Sequence, residues 1–304
     1  MNILLIAGGW SSEREVSLNG AKGVHEALLR LGHTVTFFDP QYSLDGLLDA
    51  AHSHDFAFIN LHGSPGEDGT VQALLEKAGC PFQGSGSTGS FLALNKAISK
   101  QIFRDNNLPT PDWEFLGSRP DATWRPSFAC PLFIKSNTGG SSLGLSRVTC
   151  DSELPQALET LFQTERELIV EPLIEGVEVT CGVLGDTALP PILIEPADGA
   201  SFFDYDAKYK PGGAREICPA PISAEKTAEV QELALQAHVA LGLRGYSRAD
   251  FIYTPEGELQ LLEVNTLPGM TATSLLPQEA AAIGLSFDDL IAKLIELGLT
   301  TSQP

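Results

Sequence analysis

Over the first 87 or so residues, short apolar runs alternate with amphipathic stretches. NILLIA, TVTFFD and FAFINL read as strands, and VSLNGAKGVHEALLRLGH, SLDGLLDAAH and TVQALLEKAG place apolar residues at helical spacing between and after them. Strands separated by helices predict βαβ units around a parallel sheet, that is, a small open α/β domain.

The pattern changes at GSGSTGS, residues 84–90. FLALNKAISKQIFRDNN then reads as one helix, stopped by the two prolines of NLPTPDW, and a new domain is expected to begin near Ser90. PLFIK and LGLSRV flank a glycine-serine loop as the two strands of a hairpin, and ELPQALETLFQ is helical. LIVEPLIEG and VEVTCGVLG are extended, after which the alternation is less clear until the long helix SAEKTAEVQELALQAHVALGL. The strands YSRADFIY and ELQLLEVN and the helix FDDLIAKLIELGL close the chain, with no internal repeat. A length of 304 residues suits two or three packed domains.

Composition narrows the function. With 43% apolar and 19% charged residues the chain is an ordinary globular one. A net charge of −20 repels a long nucleic-acid backbone or an anionic membrane face, while leaving room for a nucleotide held by a few local cations. Five scattered cysteines with no C-x-x-C pair read as reduced thiols rather than a zinc site. No apolar stretch approaches the roughly 20 residues of a membrane span, and the start lacks a basic leader, so a cytoplasmic protein is expected.

The sharpest chemical pattern is SRADFIYTPEGELQLLEVN. A two-residue turn at Glu256-Gly257 would set Asp250 opposite Glu263, with Arg248 beside the one and Asn265 beside the other on the same face. Three oxygen donors suit a hard cation such as Mg²⁺ that shares its shell with nucleotide phosphates. A salt-bridged sheet face is the plainer reading, but two facing carboxylates repel without a cation between them.

Other segments point the same way more weakly. KSNTGGSSLG, residues 135–144, lies between strands and is no Walker loop, yet a flap of this kind can cover phosphates. Lys135 enters that flap and Lys96 lies early in a helix; either alone is an unremarkable surface charge. Glu171 and Glu178 bracket a strand-turn segment able to seat adenine and ribose, or an ordinary edge strand. His62 follows the third strand at its carboxyl end, where open α/β sheets bind ligands, and Glu67, Asp68 and Thr70 fit helix N-terminal preferences. AGGWSSEREVS has the strand-turn-helix shape of an anion site, and yet it carries Glu13 and Glu15.

GGWSSEREVS, HGSPGEDGT, KSNTGGSSLG, EPLIEGVEVT, FDYDAKY, SRADF and LEVNTLPGMT, in this order and at these intervals, closely resemble the D-alanine–D-alanine ligases of the ATP-grasp superfamily over essentially the whole chain. The resemblance implies a mixed α/β and α+β fold: an N-terminal open parallel α/β (Rossmann-like) domain over 1–89, then a two-part ATP-grasp fold with a central subdomain over 90–172 and a C-terminal one over 173–304. It implies ATP-dependent joining of two D-alanines for peptidoglycan precursors by a cytoplasmic homodimer that needs Mg²⁺, or Mn²⁺, with two ions per subunit.

Carried over by position, Glu13 would hold the first D-alanine's ammonium, with His62 near the same substrate. Lys96 and Lys135 would bind phosphates under the flap residues Ser141 and Ser142. Glu171, Leu173, Ile174 and Glu178 would form the adenine and ribose hinge, with Phe202 and Leu262 beside the base. Lys208 and Tyr209 would close the site, the tyrosine bonding to the flap serine. Asp250, Glu263 and Asn265 would ligate metal, Arg248 would stabilise the transition state, Gly269 would offer an oxyanion amide, and Ser274 with Leu275 would bind the second carboxylate.

Pro172 stands where relatives often carry lysine, and Pro65 where glycine is commoner. Tyr209 resembles the dipeptide-forming members, which favours an amine acceptor over D-lactate. The rivals are a D-lactate or D-serine variant or another carboxylate-amine ligase, a non-catalytic ATP-binding module, and an NAD(P)-dependent oxidoreductase, the last weakened because AGGWSSE lacks G-x-G-x-x-G spacing.

Overall fold

A computed structural model describes the chain except for residues 122, 141–143, 197–213, 272 and 302–304. The first sheet has the order β2-β1-β3, all parallel, from β1 (Asn2–Ala7), β2 (Thr34–Phe38) and β3 (Phe56–Asn60). Its central strand and β3 are covered on both faces, which is why NILLIA and FAFIN read as continuous apolar runs. The edge strand β2 stays half exposed, as the alternation in TVTFF suggests. Helices α1 (Arg14–Arg30), α2 (Leu47–His52) and α3 (Thr70–Ala78) supply the crossovers. Beyond β3, Gln83 imitates another strand: its side chain accepts from Ile59 N–H at 2.9 Å and donates to Ile59 O at 2.6 Å.

The single helix predicted over 91–107 is two, α4 (Ser87–Leu94) and α5 (Lys96–Asp105). Asn95 between them is extended, and its side chain accepts from Ile98 N–H, capping α5. Asn137 completes the cap, taking Lys96 N–H on its carbonyl at 2.9 Å and Ala97 N–H on its side chain at 2.9 Å. Apolar periodicity alone cannot show this break, because both helices bury residues on one side. Its consequence is that Lys96 starts a helix rather than sitting within one.

The second sheet, β4-β7-β5-β6, is antiparallel, from β4 (Glu114–Leu116), β5 (Leu132–Ser136), β6 (Leu145–Val148) and β7 (Leu168–Pro172). Helix α6 (Leu154–Leu161) packs Leu154, Leu158 and Leu161 on it. The third sheet runs β11-β10-β8-β12-β13, with β8 (Val177–Leu184), β10 (Ile192–Pro196), β11 (Ala214–Ile217), β12 (Tyr246–Tyr253) and β13 (Leu259–Asn265); the short β9 (Thr187–Ala188) pairs with β8. Helix α7 (Ala224–Ala240) buries Val230, Ala234 and Ala237 against it.

Helices α8 (Leu275–Ala282) and α9 (Phe287–Thr301) return to the beginning of the molecule. Leu290, Ile291, Leu294 and Ile295 of α9 share one core with Ile3–Ala7 and Phe56–Ile59. Gly298 permits this approach, since a Cβ there would lie 2.5 Å from Phe82 O and 2.8 Å from the Phe56 ring. The C-terminal segment therefore braces the first sheet and sets α8 beside the site.

Candidate active site

A cleft of about 450 Å³ opens among the sheets, with Glu13 and His62 on one wall and Lys96, Arg248, Glu263 and Ser274 on others. The β12–β13 hairpin builds its floor, by a route different from the expected one. The turn is a three-residue loop: Thr254 N–H donates to Glu258 O at 2.9 Å, Gly257 N–H to Thr254 O at 2.9 Å, and Gly257 has φ +86°. That loop moves the register by one, so Tyr253 faces Leu259 and Phe251 faces Leu261. A bulge at Leu262 moves it back, and Asp250 faces Glu263 while Arg248 faces Asn265. The bulge also puts Leu262 and Glu263 on the half-open side in succession, with Leu261 and Val264 in the core.

Asp250 is nearly buried and receives Arg248 Nε and Nη2, both at 2.8 Å, and the Thr180 hydroxyl at 2.6 Å. Burial opposes the Arg248 charge, but Asp250 outweighs it and holds the guanidinium protonated more firmly than usual. Lys96 pairs with Glu263 at 2.9 Å and donates to Gly139 O of the flap at 2.7 Å. Glu263 and Asp250 thus each meet a protein cation. Among the described residues no three His, Cys, Asp or Glu side chains form a metal cluster; the donor set here is two carboxylates and the Asn265 amide.

Glu171 departs most from its expected setting. Its carboxylate is 3% exposed and is shared by Lys135 at 2.5 Å and Lys100 at 2.9 Å. Although burial raises a carboxylic acid's pKa, the two ammonium groups outweigh it and Glu171 is held below the usual range. This side chain pairs with two lysines, while Glu178 on β8 lines the cleft. Leu173 and Ile174 follow β7 half-buried, and Leu173 N–H is taken by Pro131 O at 2.9 Å.

The opening turn explains its own acids. Gly8 N–H donates to Ser17 Oγ at 2.8 Å and Gly9 N–H to Asp39 at 2.9 Å, while Arg14 grips Asp39 with both terminal nitrogens at 3.1 and 2.6 Å. The amides that would cradle an anion are already used within the protein. Glu13 instead stands buried in the cleft wall, and the flap descends to it: a Cβ on Gly140 would lie 3.0 Å from its Oε2. Beside it, burial lowers the pKa of His62, Glu13 opposing.

Sequence reasoning missed four groups. Glu67 does not serve the α3 N-terminus, where Asp68 takes Thr70 N–H at 2.9 Å; its buried carboxylate accepts Gly63 N–H at 2.7 Å, and burial with Glu13 nearby lifts its pKa to about 8. Lys100 is fully buried, which lowers its pKa to about 8 with Glu171 opposing; one signal for it was its place four residues after Lys96, on the same helix face. Thr180 left no signal. Glu279 on α8 is buried, takes Gly182 N–H at 2.9 Å and is pushed up to about 8 by burial.

At the far end Ser274 precedes α8, its hydroxyl taking Thr271 N–H at 3.0 Å rather than capping the helix, so it leaves the first amides, from Leu275 on, uncapped by its side chain. Gly269 packs against it, as a Cβ there would lie 2.8 Å from Ser274 Oγ. Ser141, Ser142, Phe202, Lys208 and Tyr209 lie outside the described residues.

Comparison with known proteins matches residues 102–296 to the family described as D-ala D-ala ligase C-terminus and residues 41–85 to D-ala D-ala ligase N-terminus. The D-alanine–D-alanine ligase of Oleidesulfovibrio alaskensis is 70% identical over 299 residues, covering 98% of this chain and 97% of that one. Among solved structures, the D-alanine–D-alanine ligase of Bacillus anthracis aligns with a TM-score of 0.88 at 37% identity, covering 99% of this chain and 98% of that one. The same enzyme complexed with ATP aligns at 0.87 and 34%, with the same coverage.

Proposed function

The chain belongs to the D-alanine–D-alanine ligase family, and we propose that its cleft joins two D-alanines through a D-alanyl phosphate, with the described residues dividing the work by charge. Its reaction is the family's ATP-dependent ligation, which supplies peptidoglycan precursors. The observation that carries the assignment of residues is that Glu13 and Arg248 wall the same cleft. A small zwitterion would be held between them with its ammonium at Glu13 and its carboxylate toward Arg248.

In the first step a carboxylate oxygen of the first D-alanine attacks the γ-phosphorus of ATP, and ADP leaves. Both partners are anionic, so Lys96, Lys135 and Arg248 act by neutralising charge and fixing the line of approach. The amine of the second D-alanine then attacks the acyl carbon, phosphate leaves, and the Gly269 N–H receives the oxyanion. Ser274 and the start of α8 at Leu275 hold the second carboxylate, a helix N-terminus being suited to an anion. The attacking amine passes its proton to the departing phosphate or through Tyr209 and Ser141. Leu173, Ile174, Glu178, Phe202 and Leu262 seat the base and sugar, and Lys208 and Ser142 close over the phosphates.

The oxygen-only set Asp250, Glu263 and Asn265 fits a hard divalent cation in its chemistry, because its two carboxylates face each other across the β12–β13 pair beside an amide oxygen. These residues would hold Mg²⁺ or Mn²⁺, two ions per subunit, which supplies further neutralisation of the triphosphate. We also assign the chain to a cytoplasmic homodimer, with 1–89, 90–172 and 173–304 as its three units; among the described residues no helix is long and apolar enough to cross a membrane.

The test is ADP release from ATP and Mg²⁺ with D-alanine, beside L-alanine and beside D-alanine with D-lactate or D-serine, with products identified by mass. Turnover on D-alanine alone that yields the dipeptide is expected. Turnover that yields only the mixed product with D-lactate or D-serine would overturn the choice of acceptor.

A further inference from the structure

Lys96 and Arg248 in the cleft wall and Lys135 at the entry to the flap each meet a carboxylate: Lys96 meets Glu263, Arg248 meets Asp250, and Lys135 meets Glu171. Pairs of this kind are locally neutral, and a triphosphate gains little from a lysine already satisfied by a carboxylate. Glu178 and Glu263 also act on Lys135 and deepen the problem. The structure holds one more cation at this point. Lys100 is 0% exposed and reaches the other oxygen of the same Glu171 at 2.9 Å.

Lys100 is built in rather than adventitious. Beside the ion pair with Glu171, its Nζ donates to Thr110 Oγ1 at 2.7 Å and to Pro111 O at 3.2 Å. Thr110 in turn donates to Leu261 O at 2.8 Å, and Leu261 N–H donates to Pro109 O at 2.7 Å. Leu261 immediately precedes the bulge that presents Leu262 and Glu263. One buried ammonium therefore ties α5, β7 and β13 together around Lys135.

We propose that Lys100 is a positioning residue for ATP: by taking half of Glu171 it leaves Lys135 with a surplus positive charge for the phosphates. The proposal rests on the assignment of Lys135 to ATP. It separates two demands that one lysine cannot meet, since Lys135 needs a counter-ion to be held in place and must still attract an anion. Two lysines on one carboxylate hold the geometry and keep a net charge of one sign.

The charge argument and a purely structural role for Lys100 diverge in a double variant. Binding of a non-hydrolysable ATP analogue with Mg²⁺ is measured by calorimetry at pH 7, without D-alanine, for the native chain, Lys100→Met and Lys100→Met/Glu171→Gln, with thermal unfolding of each. Lys100→Met leaves Lys135 neutralised, and binding should weaken roughly tenfold or more. The double variant frees the Lys135 charge again and should recover to within about threefold of the native affinity, although it restores none of the Lys100 contacts. Should Lys100→Met fail to fold, Lys100→Gln keeps a donor for Thr110 and is read the same way. Unchanged affinity in the single variant, or a double variant as weak as the single, overturns the role of Lys100. A native chain that binds no analogue overturns the assignment of Lys135 with it.

Discussion

The two ends of the cleft treat charge in opposite ways. At the substrate end Glu13, His62 and Glu67 are buried together, and protonation does the balancing: His62 is pushed toward its neutral form and Glu67 up to about 8. At the phosphate end Lys96, Lys100, Lys135 and Arg248 lie against Glu171, Glu263 and Asp250, and ion pairing does the balancing. In the proposed reading the first end meets an ammonium with the Glu13 carboxylate, and the second meets a polyanion with its lysines and Arg248. At the first end the Gly8 and Gly9 amides are also already bonded to Ser17 and Asp39.

The largest break in this comparison should come from Arg248→Met. It leaves Asp250 buried with the Thr180 hydroxyl as its remaining side-chain donor among the described residues, and an uncompensated buried charge costs about 3–5 kcal/mol. Thermal unfolding should show that loss, and ADP release should fall by roughly a thousandfold or more. Native stability in this variant would mean that Asp250 is not relying on the guanidinium. Next in size, Glu13→Gln should raise the D-alanine KM by about ten- to a hundredfold, the value of a charge-assisted hydrogen bond, with the ATP KM nearly unchanged. Equal effects on both KM values would merge the two ends into one.

How far each end was legible in the sequence follows the same division. Strand pairing is written in alternation and turn residues, so Asp250 opposite Glu263 could be read, even though the loop and the bulge at Leu262 reach that register by two compensating one-residue steps. β4, β9, β10 and β11 leave weak signals, since β9 is two residues long and ILIE is a four-residue run flanked by prolines. The turn at Glu13 looked like an anion site because a sequence does not show that Asp39 and Ser17 occupy its amides. Glu171 and Lys100 lie apart in the chain, and only the packing of α5 on β7 makes one a counter-ion of the other. The family's motifs name the residues proposed to touch ligand; the groups that pair with them are found only by packing.

The protonation balance at the substrate end predicts a pH effect. An acid whose folded-state pKa is raised binds its proton more tightly folded than unfolded, so Glu67 lowers stability progressively as pH rises from the ordinary glutamate value of 4.5 to about 8 and has no further effect above that. Glu279, also about 8, acts in the same direction. Unfolding free energy should decline by about 2 kcal/mol or more across this window, and Glu67→Gln should flatten the decline. A variant with the native slope between pH 5 and 8 would remove Glu67 from the balance.

The smallest expected effect tests the phosphate end at its most local point. Thr180 reaches across from β8 to give Asp250 its third hydrogen bond, at 2.6 Å, and its hydroxyl lies in a fully buried position. Thr180→Val keeps the shape and removes the donor, which should cost about 1 kcal/mol in stability. Because the carboxylate keeps both Arg248 bonds, the ion pair survives, and the defect should be confined to ATP: a few-fold rise in its KM with the D-alanine KM unmoved. If the D-alanine KM moved instead, Asp250 would be orienting Arg248 for the substrate carboxylate rather than serving the phosphate side, and the line between the two ends would have to be drawn through Arg248 itself.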